Sequence, residues 1–204
     1  MKYFYIDSTS SFLYAGIVKD NEILAEINKE MGHEMSEKTL LLIEEMFNSV
    51  DLQFKDIDKI ILVNGPGSFT GTRIGVTIAK TMAWTLKIPI TTISSLFAMA
   101  ISTESENFKV PLIDARREHV YSGVYDKDDN IIMPEQYIAM NVLKLALEKL
   151  GDYDFIAKSG YAIDYKVNIL KIVNKVKDYP VINPHAVDAN YLKLTEAEEN
   201  KNAA

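Results

Sequence analysis

A two-lobed α/β fold is predicted by three features of this 204-residue chain. The N-terminus reads as an antiparallel strand meander. A continuous apolar strand then runs into a glycine-rich turn and a helix. After a polar break the chain starts again with strands. The break, Thr103 to Lys109 (TESENFK), divides a first lobe at residues 1–103 from a smaller second lobe at residues 104–204.

Tyr3 to Asp7 and Phe12 to Val18 are short aromatic and β-branched runs, as strands require. In Glu22 to Asn28 the apolar residues Ile23, Ala25 and Ile27 alternate with polar ones, the pattern of a half-exposed strand. Lys19-Asp20-Asn21 supplies the hairpin turn between them. Ser36 is a candidate N-cap for a helix that continues from Leu40 to Val50. Leu40, Ile43, Phe47 and Val50 share one face, and Leu41, Leu42 and Met46 widen it beyond a single buried stripe. Such a helix is either wedged in a core or shared with another protein.

Ile60 to Val63 is the uninterrupted apolar run of a buried parallel strand. A helix is expected from about Thr72 to Leu86 and is closed by Pro89, before a strand at Ile90 to Ile93 and a helix at Ser95 to Ile101. In the second lobe, strands are expected at Val110 to Asp114, His119 to Tyr125, Ile131 to Met133 and Asp154 to Lys158. Helices are expected at Asn141 to Leu150, with Asn141 as cap, and over Ile163 to Val176. Periodicity reveals no internal repeat.

Composition narrows the function classes. Hydrophobic residues at 48% and charged residues at 25% are the balance of an ordinary globular protein. A net charge of −7 gives the chain no electrostatic reason to hold a polyphosphate strand unaided. The absence of cysteine excludes disulfides, thiolate metal sites and a cysteine nucleophile. No apolar run approaches the roughly 20 residues of a membrane helix, and the N-terminus lacks the apolar core of a signal peptide. A cytoplasmic location is expected.

The most distinctive segment is GPGSFTGTRIG, comprising Gly65, Gly67, Ser68, Thr70, Gly71, Arg73 and Gly75. Glycines between a buried strand and a helix start permit positive φ and close backbone approach, and free amides there can meet a phosphate. The spacing nevertheless departs from both common nucleotide motifs. Three residues, rather than four, separate Gly67 from Gly71, and Arg73 stands where no lysine follows. Thr70 occupies the place of the third glycine in the dinucleotide pattern. The alternative is a tight turn that aims the next helix. On that helix Gly75, Ala79 and Ala83 recur every fourth residue beside the apolar row Ile74, Ile78, Met82 and Leu86. A smooth stripe admits another helix at close range, from this chain or from a second one.

Other candidates are weaker. Asp7 ends a strand before Ser8, Thr9, Ser10 and Ser11; it could orient a phosphate or hydrated metal, or cap the turn. Asp114, Arg116, Arg117 and Glu118 form a charged cluster after a strand, either a ligand contact or a solvated loop. His33, His119 and His185 are scattered, and Glu37 stands where a zinc protease would need its second histidine. No catalytic residue and no metal ligand can be singled out.

Four segments, YIDSTS (5–10), GPGSFTGTRIG (65–75), IDARREHVY (113–121) and YLKLTEAE (191–198), occur in this order along nearly the whole chain. Together they resemble the TsaB family, also called YeaZ. The resemblance implies an actin-like, Hsp70-like two-lobed ATPase fold with a degenerate nucleotide site. It implies pairing with a catalytic TsaD-type paralogue that carries the metal-binding histidines and the nucleotide chemistry, together with a TsaE-type ATPase. That complex transfers a threonylcarbamoyl group to N6 of adenosine 37 in tRNA. The chain is expected to have no cofactor of its own, with ATP and a divalent metal in the partner subunit, and to meet tRNA only through the complex.

By the same resemblance the partner meets helices corresponding to Ser36–Val50 and Thr72–Leu86, with Leu41, Leu42, Met46, Gly75, Ile78, Ala79, Met82 and Ala83 as interface residues. Homodimers can use the same surface. One departure is a shortened path from Asn183-Pro184-His185 to Tyr191-Leu192-Lys193, which implies a trimmed second lobe. Two other functions compete: a stand-alone small-molecule kinase or ATPase of the same fold, and a peptidase.

Overall fold

The computed structural model describes residues 1–157, 163 and 165–193. In the first sheet β1 (Lys2–Asp7), β2 (Phe12–Lys19) and β3 (Glu22–Glu30) form the antiparallel meander. β4 (Lys59–Val63) and β5 (Ile90–Ile93) add in parallel on the far side of β1, giving the order β3-β2-β1-β4-β5. The β2–β3 hairpin turns on Asp20 and Asn21, both left-handed at φ 48° and 68°. Two successive left-handed residues match the twist of the flanking strands, and Asp and Asn tolerate that geometry best after glycine.

Side-chain alternation divides the core between the two faces of this sheet. Phe4, Ile6, Ala15, Ile17, Ile60 and Leu62 face α1 (Met35–Ser49) and α2 (Phe69–Leu86). Tyr5, Tyr14, Val18, Ile61 and Val63 face α3 (Ser95–Ser102) and a helix from the end of the chain, α5 (Ile169–Val176). α5 packs through Ile169, Ile172, Val173 and Val176, the spacing of a single apolar stripe. Phe47 of α1 anchors the first face, edge-on to Phe4 at 5.4 Å and to Phe54 at 4.6 Å. Truncating such a residue costs about 3–5 kcal/mol.

The second sheet contains β6 (Phe108–Asp114), β7 (His119–Tyr125), β8 (Ile131–Ala139) and β9 (Tyr153–Ile156), in the order β8-β7-β6-β9. β6–β7 and β7–β8 are antiparallel and β6–β9 is parallel. This repeats the β3-β2-β1-β4 arrangement of the first sheet, with one strand fewer overall. The chain therefore contains a repeat of topology that its periodicity does not show. α4 (Met140–Leu147) covers one face with Leu143 and Leu147, and α3 lies against the other through Leu96 and Met99. Two sheets of this order, with α3 between them, constitute the two-lobed actin-like α/β fold.

Several element limits differ from expectation. α1 starts at Met35, so Ser36 lies inside its first turn and caps nothing. α2 starts three residues early, because the Ser68 side chain accepts the Gly71 N–H. α4 starts at Met140, which places Asn141 within the helix. The helix expected over Ile163 to Val176 forms only from Ile169, where Asn168 caps it by accepting the Lys171 N–H at 2.9 Å. β8 runs six residues past Met133 because it pairs with the whole of β7.

From Tyr165 onward the chain returns to the first lobe. After α5 a strap over residues 177–192 starts on the α5 side of the first sheet, passes the edge of β5 at Ile182 and continues along α2. Lys59 is buried and donates to the Lys177 and Tyr179 carbonyls at 2.8 and 2.7 Å. Burial holds its pKa below the usual lysine value, with the Asp178 charge opposing. Farther on, Ile182 N–H donates to Ile90 O at 2.8 Å and Lys80 donates to Val187 O at 2.9 Å. Asn64 Nδ2 donates to Asp188 O at 2.8 Å. Among the described residues, no helix is long and apolar enough to cross a membrane.

Candidate functional site

A cleft of about 1420 Å³ opens between the lobes. Its walls hold the ends of two equivalent strands, β1 from the first sheet and β6 from the second. At the end of β1, Asp7 is buried and turned back on its own chain. Its Oδ1 accepts the Thr9 N–H at 2.8 Å and the Thr9 hydroxyl at 2.7 Å. Of the two roles open to Asp7, the structure realises the turn cap. Beside it the Tyr5 hydroxyl is fully buried; burial first, and then the Asp7 charge, push its pKa well above 10.

The glycine-rich segment lies directly on this turn. Ser68 N–H donates to Thr9 O at 2.6 Å, and Ser8 Oγ donates to Gly71 O at 2.8 Å. A Cβ on Gly67 would sit 2.1 Å from Thr9 O, and one on Gly71 2.0 Å from Ser8 O. On Gly75 it would fall 2.5 Å from Ser8 Oγ. The glycines recur every fourth residue because one line of α2 and its lead-in lies against Ser8 and Thr9. Gly65 alone of the motif is left-handed, at φ 110°, with Asn190 O pressed against it. The third and fourth amides of α2 serve the chain itself: Gly71 N–H bonds Ser68 Oγ at 3.2 Å and Thr72 N–H bonds Ser68 O at 2.8 Å. Thr70 points outward from the same turn and is exposed.

At the end of β6, Asp114 repeats the arrangement. Its Oδ1 accepts the Arg116 N–H at 2.8 Å. Arg116, Arg117 and Glu118 then follow in three successive left-handed conformations, φ 64°, 51° and 61°. Each such residue costs on the order of 1 kcal/mol and is held by its surroundings. Here the holding bonds are Ala115 N–H to His119 O and His119 N–H to Arg116 O, both 3.0 Å, and Met140 N–H to Glu118 O at 2.9 Å. His119 Nδ1 donates to Arg117 O at 2.7 Å, and its ring stacks on Tyr137 at 4.7 Å. Arg116, Arg117 and Lys144 bring positive charge to the second-lobe wall, and Ser10, Ser11 and Ser68 bring hydroxyls to the first. Among the described residues, no three His, Cys, Asp or Glu side chains converge as metal ligands.

The second surface is the outer side of α1 and α2, where the structure corrects the expected interface. Ala79 is 0% exposed, and Met46, Gly75, Met82 and Ala83 are also buried. Ala79, Ala83, Met46 and Met82 belong to the core cluster that contains Phe4 and Leu62, so the small-residue stripe faces the protein's own sheet. The small side chains let α2 lie close to β1 and β4. Of the expected residues, Leu41 is exposed at 57%, and Leu42 and Ile78 are partly covered. Residues that do face outward include Leu40 and Leu41 on α1 and Phe69, Arg73 and Thr77 on α2. Leu40, Phe69, Arg73 and Thr77 border a groove of about 520 Å³ between the two helices.

Sequence reasoning missed how the strap meets this surface. Arg73 Nε donates to the Tyr191 hydroxyl at 2.9 Å, and the guanidinium lies 3.7 Å from the Phe69 ring centre. The Phe69 and Tyr191 rings are 5.8 Å apart. Leu192 joins the Leu96, Met99 and Ile156 cluster between the lobes, and the Lys193 ammonium lies 5.2 Å from the Tyr137 ring centre. The first three residues of the recognised C-terminal segment, Tyr191–Lys193, thus bridge α2 and the second sheet, whereas 194–198 lies outside the described residues. Exposed aromatic and charged residues near the end of a chain are common and gave no signal of this contact.

Comparison with known proteins follows the same outline. The family model described as "TsaD: tRNA N6-adenosine threonylcarbamoyltransferase" matches residues 22–182. The tRNA threonylcarbamoyladenosine biosynthesis protein TsaB of Bacillus subtilis is 29% identical over 95% of this chain and 94% of its own length. The protein of the same name from Escherichia coli is 32% identical over 48% of this chain and 43% of its own. In structure, YeaZ from Pseudomonas aeruginosa superposes with a TM-score of 0.75 over 94% of this chain and 99% of its own, at 16% identity. A protein from the same organism, described as uncharacterized with similarity to peptidase YEAZ, reaches 0.81 over the same shares at 15% identity.

Proposed function

The chain belongs to the TsaD, tRNA N6-adenosine threonylcarbamoyltransferase, family and is of the TsaB (YeaZ) kind, and from that premise we propose that it is a non-catalytic partner subunit in tRNA threonylcarbamoyladenosine synthesis. Its partner in this reading is a TsaD-type catalytic paralogue, with a TsaE-type ATPase joining the complex. ATP and a divalent metal belong to the partner's site, and tRNA is met through the complex in the cytoplasm.

One observation carries the non-catalytic role. The glycines that would have to cradle a phosphate are packed against the chain's own backbone: Gly67 and Gly71 abut Thr9 O and Ser8 O, and the Gly71 and Thr72 amides are taken by Ser68. The motif holds α2 in place, and α2 with α1 presents Leu40, Leu41, Phe69 and Arg73 outward. Clustered exposed apolar side chains of this kind mark protein interfaces. The helices therefore act as the scaffold surface, and the same face serves a homodimer in the absence of the partner.

Reconstitution tests the reading. tRNA, the threonylcarbamoyl-adenylate donor, ATP, the TsaD-type paralogue and the TsaE-type ATPase should yield modified adenosine only when this chain is added. Full-rate modification without it would sink the proposal. The interlobe cleft favours one competitor, a stand-alone small-molecule kinase or ATPase. Micromolar binding of Mg-ATP with turnover by the isolated chain, measured by calorimetry and phosphate release, would establish that alternative.

A further inference from the structure

Arg73 is the unusual residue of the outer α1/α2 surface. The other cations there are already engaged: Lys38 pairs with Glu34, and Lys80 donates to carbonyls of the strap. Arg73 makes no ion pair with any described residue, although Glu37, Glu44 and Glu45 are exposed on the neighbouring helix. Its orientation is nonetheless fixed. The Phe69 ring lies against its face at 3.7 Å, and the Tyr191 hydroxyl accepts from Nε at 2.9 Å. Nε is thereby spoken for, and the Nη edge makes no hydrogen bond to a described residue.

A guanidinium stacked on one side and tied at Nε has lost most of its rotamer freedom before any ligand arrives. Its remaining donors form a planar fork matched to a carboxylate. The setting is apolar, with Phe69 at 58% exposure, Leu40 at 53% and the groove beside them. An arginine ringed by exposed aromatic and aliphatic groups has the composition of an interface hot spot, where desolvation strengthens a paired charge.

We propose that Arg73, set by Phe69 and Tyr191, is the polar anchor of the docking surface and receives an acidic side chain carried on a helix of the catalytic partner. The inference rests on the partner-subunit reading and adds to it the residue that fixes register. The α1/α2 groove takes the partner's apolar residues, and the Arg73–carboxylate pair decides which rotation of the two helix pairs is accepted. Tyr191 makes the strap part of the surface, since without its hydroxyl the guanidinium is free to turn.

The test is calorimetric titration of the full chain and its variants into the TsaD-type paralogue of the same organism, at two salt concentrations. Arg73→Glu should weaken binding by about 30-fold or more, the range of a hot-spot arginine. Arg73→Lys, which keeps the charge and loses the fork, should weaken it by about 10-fold. Tyr191→Phe should weaken it less than either. Binding by the native chain should fall as salt rises, and Arg73→Gln should lose most of that dependence. Reversing the matching acid on the partner to arginine should restore binding to Arg73→Glu. Circular dichroism melts of each free variant separate misfolding from lost docking, and Arg73→Gln serves if the glutamate variant fails to fold.

Absence of binding by the native chain would refute the partner-subunit reading itself. Native binding that Arg73→Glu leaves unchanged would overturn the anchor alone. So would a variant that pairs normally while the complex retains less tRNA, because Arg73 would then face a phosphate. An Arg73-dependent homodimer with an Arg73-independent heterodimer would overturn it as well.

Discussion

Asp7 and Asp114 hold equivalent positions in the two sheets. Each ends the strand from which its sheet is built outward, and each accepts, at 2.8 Å, the N–H of the residue two places on. One loop, Ser8–Ser11, is then pinned to the glycine-rich segment of α2. The other, Arg116–Glu118, is wound left-handed, tied to the start of α4 through Glu118 O, and lines the cleft. The two halves thus share a turn device and use it differently: one half is locked to its neighbouring helix and the other is charged.

The difference in burial sets the first prediction. Asp7→Ala strands two buried donors on Thr9 and should lower unfolding free energy by about 1.5–3 kcal/mol. Asp114→Ala, whose single bond is solvent-exposed, should cost under roughly 1 kcal/mol. Asp7→Asn keeps an acceptor and should recover most of the loss. Urea midpoints of the three variants check the order; equal effects of Asp7→Ala and Asp114→Ala would contradict it.

The second prediction concerns the glycines. Gly67→Ala and Gly71→Ala place a methyl 2.1 and 2.0 Å from backbone carbonyl oxygens, so α2 must move. Overpacking of this sort costs about 1–3 kcal/mol or more. Gly75→Ala meets a side-chain oxygen, Ser8 Oγ at 2.5 Å. Ser8 can rotate away only by giving up its bond to Gly71 O. The double variant Ser8→Ala with Gly75→Ala should therefore be more stable than Gly75→Ala alone, whereas Ser8→Ala should not rescue Gly67→Ala. Thermal melts of these variants would show the pattern.

The third prediction separates core from interface. Ala79→Glu buries a charge with no partner at a 0% exposed site and should prevent folding of the first lobe. Leu41→Glu, at 57% exposure, should leave the melting temperature within a few degrees and weaken association with the TsaD-type paralogue. A folded, soluble Ala79→Glu protein with impaired pairing would mean that the stripe faces outward after all.

The contrast between Leu41 and Ala79 also shows what the sequence makes legible. Periodicity identifies positions that share a helix face: Gly75, Ala79 and Ala83 do lie in one line. It does not say which line the sheet takes, because small residues suit a close neighbour of either kind. The strands were legible because burial on both faces, as in Ile60–Val63, leaves a continuous apolar run. The repeat of sheet order was not, since topology needs only alternation and turns at similar spacing and no shared residues. The strap was invisible for a different reason. Lys59, Lys80 and Asn64 hold it through main-chain oxygens of Lys177, Tyr179, Val187 and Asp188, and any residue carries a main-chain oxygen.

The last prediction concerns the tie between the lobes. Lys109 on β6 is 1% exposed and pairs with Asp129, in the turn between β7 and β8. Asp129 also lies 3.3 Å from Lys175 of α5, and Lys175 donates to Asp128 O at 2.6 Å. Because α5 is packed on the first sheet, this turn fastens the second lobe to the first. Asp129→Asn suits the left-handed φ of 67° at that position and removes only the charge. It takes from the buried Lys109 ammonium its paired carboxylate and leaves the more distant Asp126 as the remaining counter-charge, which costs up to about 3–5 kcal/mol. Lys109→Met alone removes the buried cation and leaves Asp129 with Lys175, so it should cost less. In the double variant the buried charges are gone together, and its stability should exceed that of Asp129→Asn. Lys175 is partly exposed, so Lys175→Met should have a small effect on global stability and should act on the joint, raising amide exchange in β8 and α5 while leaving β1 and β4 protected. Chemical denaturation of the four variants, with hydrogen exchange on Lys175→Met, tests both halves. Equal destabilisation by Asp129→Asn and by the double variant would show that the turn's hydrogen bonds, and not the buried Lys109 charge, carry the tie.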